Sequence, residues 1–311
     1  NLSKADDTGL LSELLKFINN NKGQYSLKEV DCRNAGTVFR FLATALSLRP
    51  GKWLLTGSGR MRERPVRHLV DALRRLGADI EYQFVEGFPP LIIKGKELKG
   101  GCVSVDVSQS SQYASSLLLA APTFENGLKL HLDGGLTSLP YIDMTVGIMT
   151  EYGAKVCRDG RDIVVEHSDY QNVEYVVESD WSAASYWFEI VALSDGGQAF
   201  LRNLKEKSVQ GDKIVAGVFD RFGVRTIFED EGATVVKSTS NCKNLFEFDF
   251  TDAPDLFPAV VATCAGLQVG ATFTGLRNLA IKESDRVDAM VTELNKIGVE
   301  FEKISDDILK M

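Results

Sequence analysis

LVDALRRLGADIEY (69–82) reads as helix, glycine, small residue, strand. The same phrase returns as TVGIMTEYGAKVCR (145–158), VAGVFDRFGVRTIF (215–228) and MVTELNKIGVEFEK (290–303). In each, apolar residues at helical spacing stop at a glycine. There the chain leaves the helix through positive φ, a conformation in which a Cβ costs energy. These glycines, Gly77, Gly153, Gly223 and Gly298, are 76, 70 and 75 residues apart. Each also lies 43 residues beyond the opening of an earlier apolar helix, at Asn34, Ser110, Asp180 and Asp255 respectively. A fixed interval of this kind marks one structural unit of about seventy residues copied along the chain.

The flanking pattern defines that unit. VSVDV (103–107) and FEFDF (246–250) alternate with period two, as half-buried strands do. The opening helices, such as SLLLAAP and DLFPAVVATCAG, are apolar nearly all round and are expected to be buried. WLLTGSG, GLKLHLDGG, AFLRNL and TFTGLRNL each read as a strand and a turn between the two helices. The second helix is amphipathic; in the last copy Val287, Met290, Val291, Leu294 and Ile297 form its apolar stripe. The unit is therefore strand–helix–strand–helix–strand, an α/β element that cannot bury its apolar face alone. Gly87–Pro90 and Lys94–Gly101 read as loops within it. The extended VEYVVES (173–179) is the expected boundary between two similar domains, 1–177 and 178–311, with a small-molecule site in the cleft that two domains form.

Size and composition agree with this and exclude other classes. A chain of 311 residues exceeds the usual limit of one core. Hydrophobic content of 44% with 25% charged residues is ordinary for a globular enzyme. No apolar run approaches the roughly 20 residues that span a bilayer, so no membrane partner is expected. A net charge of −8 argues against a nucleic-acid partner. Cys32, Cys102, Cys157, Cys242 and Cys264 are odd in number and far apart, and His68, His131 and His167 show no metal-ligand spacing. Neither a disulfide framework nor a metal site is expected, and a reducing cytoplasm suits the chain best. Asp6 and Asp7 precede a helical pattern (Leu10, Leu11, Leu14, Leu15, Ile18), which reads as the second helix of a partial first unit.

The residues that carry chemistry gather at helix starts. RMRERPVRHL places Arg60, Arg62, Arg64 and Arg67 within eight residues of an acidic protein. A solvated helix start is the plain reading, yet cations there oppose the macrodipole, and the guanidinium fork suits carboxylate or phosphate. SQSSQYASS (108–116) sets Ser110, Ser111 and Gln112 before a buried helix. One serine is accounted for as an N-cap, and the group as a whole makes an anion site. Asn34, Gly36 and Thr37 of NAGT stand at the equivalent place one unit earlier, without the spacing of a nucleotide-binding P-loop. Asp255 of APDLFP, and Lys282, Glu283 and Arg286 of LRNLAIKESDR, are each readable as caps or ordinary ion pairs. Their recurrence at corresponding positions is what distinguishes them.

NAGTVFRFL, LTGSGRMRERPVRHLVDAL, SSQYASSLLLAAP, LPYIDMTVGIM, ESDWSAASYWF and LRNLAIKESDRVDAM, in this order, closely resemble the 5-enolpyruvylshikimate-3-phosphate synthase family over nearly the whole chain. The resemblance implies an enolpyruvyl transferase fold, an inside-out α/β barrel of two domains built from βαβαββ units, here with the first and last units incomplete. It implies a monomeric transferase of aromatic amino-acid biosynthesis that needs no metal or organic cofactor and for which glyphosate is a candidate inhibitor. The reaction would carry the enolpyruvyl group of phosphoenolpyruvate to the 5-hydroxyl of shikimate 3-phosphate, releasing phosphate. By resemblance Gly36, Arg64 and Arg286 hold phosphoenolpyruvate, and Ser110, Ser111, Gln112, Ser138, Asn278 and Lys282 hold shikimate 3-phosphate. Asp255 resembles the base and Glu283 the carboxyl that handles the methylene proton, with Asn34, Thr37, Arg40, Arg60 and Tyr141 in support.

The family's N-terminal lysine–serine–arginine loop and its later C-terminal arginine and lysine have no counterpart here. On that ground the chain is expected to be an interior piece of a longer synthase, and inactive by itself. Two other readings stay open. A transferase acting on a UDP-amino sugar shares the architecture but brings a loop cysteine, and none lies between Cys32 and Cys102. A non-catalytic anion-binding protein on the same repeat is the other.

Overall fold

The glycines that punctuate the sequence end their helices as expected. Gly77, Gly153, Gly223 and Gly298 take φ of 97°, 87°, 76° and 87°. In three of the four the next amide reaches back to close the helix end: Ala78 to Leu73, Ala154 to Met149 and Val299 to Leu294. The structure, a computed structural model, describes residues 3–238 and 245–311, so Cys242 lies outside the described residues. The chain divides into an N-terminal unit ending at Tyr175 and a C-terminal unit beginning at Val176.

The N-terminal unit opens with α1 (Asp6–Asn20), whose first turn, not its cap, holds Asp6 and Asp7. One repeat follows: β1 (Leu27–Asp31), α2 (Gly36–Leu48), β2 (Gly51–Thr56), the single turn α3 (Gly59–Arg62), α4 (Arg67–Arg75), β3 (Asp79–Tyr82) and β4 (Leu91–Gly95). The next comprises β5 (Gly101–Asp106), α5 (Gln112–Ala120), β6 (Leu128–Asp133), α6 (Leu139–Glu151), β7 (Val156–Asp159) and β8 (Asp162–Val165). Their sheets have the same order, β1-β2-β4-β3 and β5-β6-β8-β7. In both the first pair is parallel and the hairpin strands are antiparallel. The helix between the parallel strands supplies the crossover that such a pair requires.

The C-terminal unit contains α7 (Trp181–Leu193), β9 (Gln198–Arg202), α8 (Val215–Asp220), β10 (Val224–Glu229) and β11 (Gly232–Lys237). After these come β12 (Leu245–Asp249), α9 (Phe257–Gly266), β13 (Gly270–Thr274), α10 (Arg286–Asn295), β14 (Glu302–Ser305) and β15 (Ile308–Lys310). The last repeat again gives β12-β13-β15-β14. The third differs: its sheet is β10-β11-β9, and the extended residues 173–179 before α7 form no strand. They are tied instead by Asn203, whose Nδ2 donates to the Val177 carbonyl at 2.9 Å and whose carbonyl accepts from the Ser179 amide at 3.0 Å. A strand before every opening helix was too general an expectation.

Each unit has its own core. Opening helices α2, α5 and α9 are buried along most of their length. The C-terminal core is largely phenylalanine, with Phe219, Phe222, Phe246, Phe250, Phe257 and Phe273 fully buried and joined, through half-buried Phe248, in a chain of ring contacts. In α10 Val287, Met290, Val291 and Leu294 pack on that core, but Ile297 is 73% exposed. Position 297 falls in the fraying end of the helix, where the stripe turns past its support. No helix of the described residues is long and apolar enough to cross a membrane.

One recurrent device went unread in the sequence. Asp31, Asp106 and Asp249 end the first strand of three repeats, and each carboxylate accepts from the amide two residues on, at 2.8, 2.8 and 2.9 Å. These turns aim the chain into the opening helix. Gly134 and Gly275 end the neighbouring strands, and a Cβ on either would press into Asp106 or the Asp249–Thr251 turn.

Candidate active site

In the N-terminal unit, α2 begins at Gly36, and the absence of a side chain there is used. An added Cβ would lie 2.7 Å from Cζ and 2.9 Å from Nη2 of Arg64. Arg64 is only 3% exposed. Its guanidinium therefore lies directly on the helix start, in the loop between α3 and α4. Asn34 is held from the α3 side: Ser58 donates to Asn34 Oδ1 at 3.2 Å while accepting from the Met61 amide at 3.2 Å. Arg60 pairs with Glu63 at 3.4 Å on the surface.

A second network joins α2 to α5. Arg40, 5% exposed, donates to Gln112 Oε1 at 2.8 Å, and Gln112 Nε2 donates to the Thr37 hydroxyl at 2.8 Å. Below them Thr44 and Ser116 share a short hydroxyl contact, and Ser116 donates to the Arg40 carbonyl. The pairing of Arg40 with Gln112, 72 residues apart, fixes the amide so that its oxygen and nitrogen are both engaged. Ser111 is the residue at the N-cap of α5, but its side chain makes no capping bond. Ser110 does so instead, accepting from the Gln112 amide at 3.3 Å.

Ser138 precedes α6 in the left-handed conformation, with φ 55° and ψ 36°. A non-glycine residue there stores about 1–3 kcal/mol of strain, and its side chain makes no capping bond to the helix. Its carbonyl accepts from the Tyr141 amide at 3.2 Å, and the Tyr141 carbonyl accepts from the Thr145 hydroxyl, whose oxygen also lies 2.8 Å from that of Ser115.

The C-terminal unit holds the remaining candidates. Asp255 stands in a single 3-10 turn, Pro254–Leu256, and does not cap α9; the plain N-cap reading is corrected. Its Oδ1 accepts from Arg286 Nη1 at 2.5 Å and lies 3.8 Å from Lys282 Nζ. Arg286 Nη2 donates to Glu283 Oε2 at 3.3 Å. Burial pulls the Arg286 pKa down, but the charge and hydrogen bond of Asp255, then those of Glu283, more than offset it. The group lies above its ordinary value and stays cationic. Asp285 caps α10, accepting from the Asp288 amide at 3.0 Å, and so aims Arg286 inward. Asn278 lies in the 3-10 turn Arg277–Ile281 just before Lys282.

Each unit thus presents cations and neutral donors where anions are expected to bind, and the carboxylates stand only in the second. Sequence reasoning missed Ser58, whose signal was the small polar residue after Gly57. It also missed Tyr113, which reads as an ordinary core aromatic. Among the described residues no group of three His, Cys, Asp or Glu is placed to hold a metal ion.

Comparison with known proteins bears on these arrangements. A profile of the family described as EPSP synthase (3-phosphoshikimate 1-carboxyvinyltransferase) matches residues 13–311. The chain is 43% identical to a 3-phosphoshikimate 1-carboxyvinyltransferase of Bacteroides fragilis (strain YCH46), covering 99% of this chain and 73% of that one. It is 36% identical to one from Sulfurovum sp. (strain NBC37-1), covering 98% and 76%. An EPSP synthase structure from Acinetobacter baumannii superposes with a TM-score of 0.66 at 23% identity, covering 91% of this chain and 64% of that one. The enolpyruvyl transferase NikO from Streptomyces tendae does so with 0.56 at 15% identity, covering 78% and 57%. The last two show likeness of fold, the two-domain α/β architecture of enolpyruvyl transferases.

Proposed function

We infer the work of this site from the premise that the chain belongs to the EPSP synthase family, the 3-phosphoshikimate 1-carboxyvinyltransferases. The reaction proposed is transfer of the enolpyruvyl group from phosphoenolpyruvate to the 5-hydroxyl of shikimate 3-phosphate, with release of phosphate. A bond forms between the hydroxyl oxygen and the vinyl carbon that bears phosphate, and the bond from that carbon to the phosphate oxygen breaks. The hydroxyl loses its proton, while the methylene gains one and later returns it.

Arg64, lying on Gly36, and Arg286 are assigned to the carboxylate and phosphate of phosphoenolpyruvate. Ser110, Ser111, Gln112, Ser138, Asn278 and Lys282 are assigned to shikimate 3-phosphate, with Asn34, Thr37, Arg40, Arg60 and Tyr141 supporting them. Asp255 takes the hydroxyl proton and Glu283 serves the methylene. The observation that carries the reading is that one cation, Arg286, is shared by the two carboxylates in those roles. In an acidic protein, a cation matched to two carboxylates holds acid, base and anion ligand within one cluster.

The test begins with binding. Shikimate 3-phosphate titrated calorimetrically into the protein should bind, and Gln112→Ala should weaken it by about tenfold, the worth of one charge-assisted hydrogen bond. Absence of binding by the unaltered protein would overturn the assignment. Phosphate release that requires both substrates is the corresponding test of the reaction.

A further inference from the structure

Tyr113 follows Gln112 directly, is fully buried, and has no part in the chemistry above. Its hydroxyl donates to the Pro65 carbonyl at 2.6 Å. Pro65 follows Arg64 and has no N–H, so its carbonyl is the one backbone polar group by which that residue can be held. On either side the loop is pinned by the Arg64 amide to Met61 at 3.2 Å and the Val66 amide to Gly87 at 2.9 Å. The Tyr113 bond supplies the anchor between them. The same ring lies 5.5 Å from the Arg40 guanidinium, which orients Gln112.

A core position needs only the ring. A hydroxyl in a dry core requires an acceptor, and here that acceptor lies in a loop 48 residues away. Burial raises the phenol's pKa against the pull of Arg40 and Arg64, so the proton stays on the hydroxyl and the bond is always donated in this direction.

We propose that Tyr113 is a positioning residue for Arg64: its hydroxyl fixes the Pro65 peptide so that the guanidinium lies on Gly36. Its consequence for catalysis rests on the reading of Arg64 as a phosphoenolpyruvate ligand, but the positioning itself does not.

Tyr113→Phe removes the hydroxyl and keeps the ring. Modification of Arg64 by phenylglyoxal, mapped by peptide mass spectrometry, should quicken by about five- to tenfold, the equivalent of one lost hydrogen bond. The dissociation constant of phosphoenolpyruvate, measured by calorimetry with shikimate 3-phosphate present, should rise by a similar factor. That of shikimate 3-phosphate alone should hold. Thr44→Val, which breaks the hydroxyl contact between α2 and α5, is the control: it should lower the thermal midpoint and leave Arg64 as protected as before. Unchanged Arg64 reactivity in Tyr113→Phe, or the same gain in Thr44→Val, overturns the inference. Faster modification of Arg64 with unaltered phosphoenolpyruvate affinity would uphold the positioning and overturn the assignment of Arg64 as a ligand.

Discussion

Replacing Gly36 by alanine sets two effects against each other, and the structure decides between them. Gly36 is helical, and alanine in a helix is favoured over glycine by about 1 kcal/mol. The new Cβ would stand 2.7 Å from Arg64 Cζ and 2.9 Å from Nη2, whereas carbon contacts relax to about 3.5–4.0 Å. The guanidinium must therefore retreat by about 1 Å. What yields is the end of a side chain and not backbone, so folding stability should change by no more than about 1 kcal/mol. Binding is another matter, because Arg64 is only 3% exposed and has little room to return. Displacement on this scale forfeits a charged hydrogen bond of about 1.5–3 kcal/mol, or roughly ten- to a hundredfold in phosphoenolpyruvate affinity. Calorimetry with shikimate 3-phosphate saturating measures it, with the thermal midpoint as control. Phosphoenolpyruvate affinity within about twofold of the parent would refute the reasoning. So would an equal loss for shikimate 3-phosphate, since the fault would then be general.

Other consequences are as open to measurement. Asp255→Asn removes the charge that holds Arg286 and Lys282; calorimetry with shikimate 3-phosphate saturating should show phosphoenolpyruvate affinity that does not weaken, since two cations lose a competing carboxylate, and a loss of affinity would argue against a proton-accepting role. Gly275→Ala forces a side chain into φ 72° with its Cβ 2.6 Å from the Thr251 hydroxyl, so urea denaturation should show about 2–4 kcal/mol of destabilisation. Burial pulls the Asp106 carboxyl up, but its hydrogen bonds from the Ser108 hydroxyl and amide pull it further down, below the ordinary 3.8. A depressed carboxyl stabilises the fold above that value and loses the contribution as pH falls below it; urea midpoints taken on either side should show a shallower acid decline in Asp106→Asn. Of the four described cysteines Cys32 and Cys264 are buried, and burial, with Asp31 adding, pushes the Cys32 thiol upward. Iodoacetamide should label Cys102 and Cys157 in the native protein and spare the other two.

The repeat was legible because its punctuation is steric. A helix that must end in positive φ before a strand demands glycine, and Gly77, Gly153, Gly223 and Gly298 declare it. Arg64 and Gly36 were legible as residue types, since anionic ligands need cations and close backbone. Their contact was not, because nothing local joins positions 36 and 64. The same holds for Arg40 with Gln112 and for Tyr113 with Pro65, which only tertiary packing brings together. Asp31, Asp106 and Asp249 were readable in principle, each ending a strand two residues before its bonded amide. Alternation drew attention to the apolar partners instead. The third repeat departs from the pattern because VEYVVES, read as an extended boundary, precedes its opening helix with no neighbouring strand to pair with.

Copies of one unit need not keep one use, and the caps show where they part. Asp180 caps α7 with its own carboxylate, accepting from the Ser182 amide at 2.8 Å, and buried Asp212 takes the Ser182 hydroxyl at 2.5 Å. Gln210 accepts from the Trp181 amide. The first turn of that helix is thus satisfied by the protein, and an anion would find carboxylates in its place. At α2 and α9 the cap residues are Ala35 and Leu256, whose side chains have nothing to offer a helix N–H, and at α5 the serine bond is long, at 3.3 Å. Helix starts left in that state attract anions through their amides and the positive end of the macrodipole. The starts of α2 and α5 are also those beside Arg64 and Gln112, whereas α9 runs on from the 3-10 turn that carries the Asp255 carboxylate. The opening helix with the strongest cap is the one to which no substrate contact is assigned, so the division between structural and functional copies is written in the residue that begins each helix.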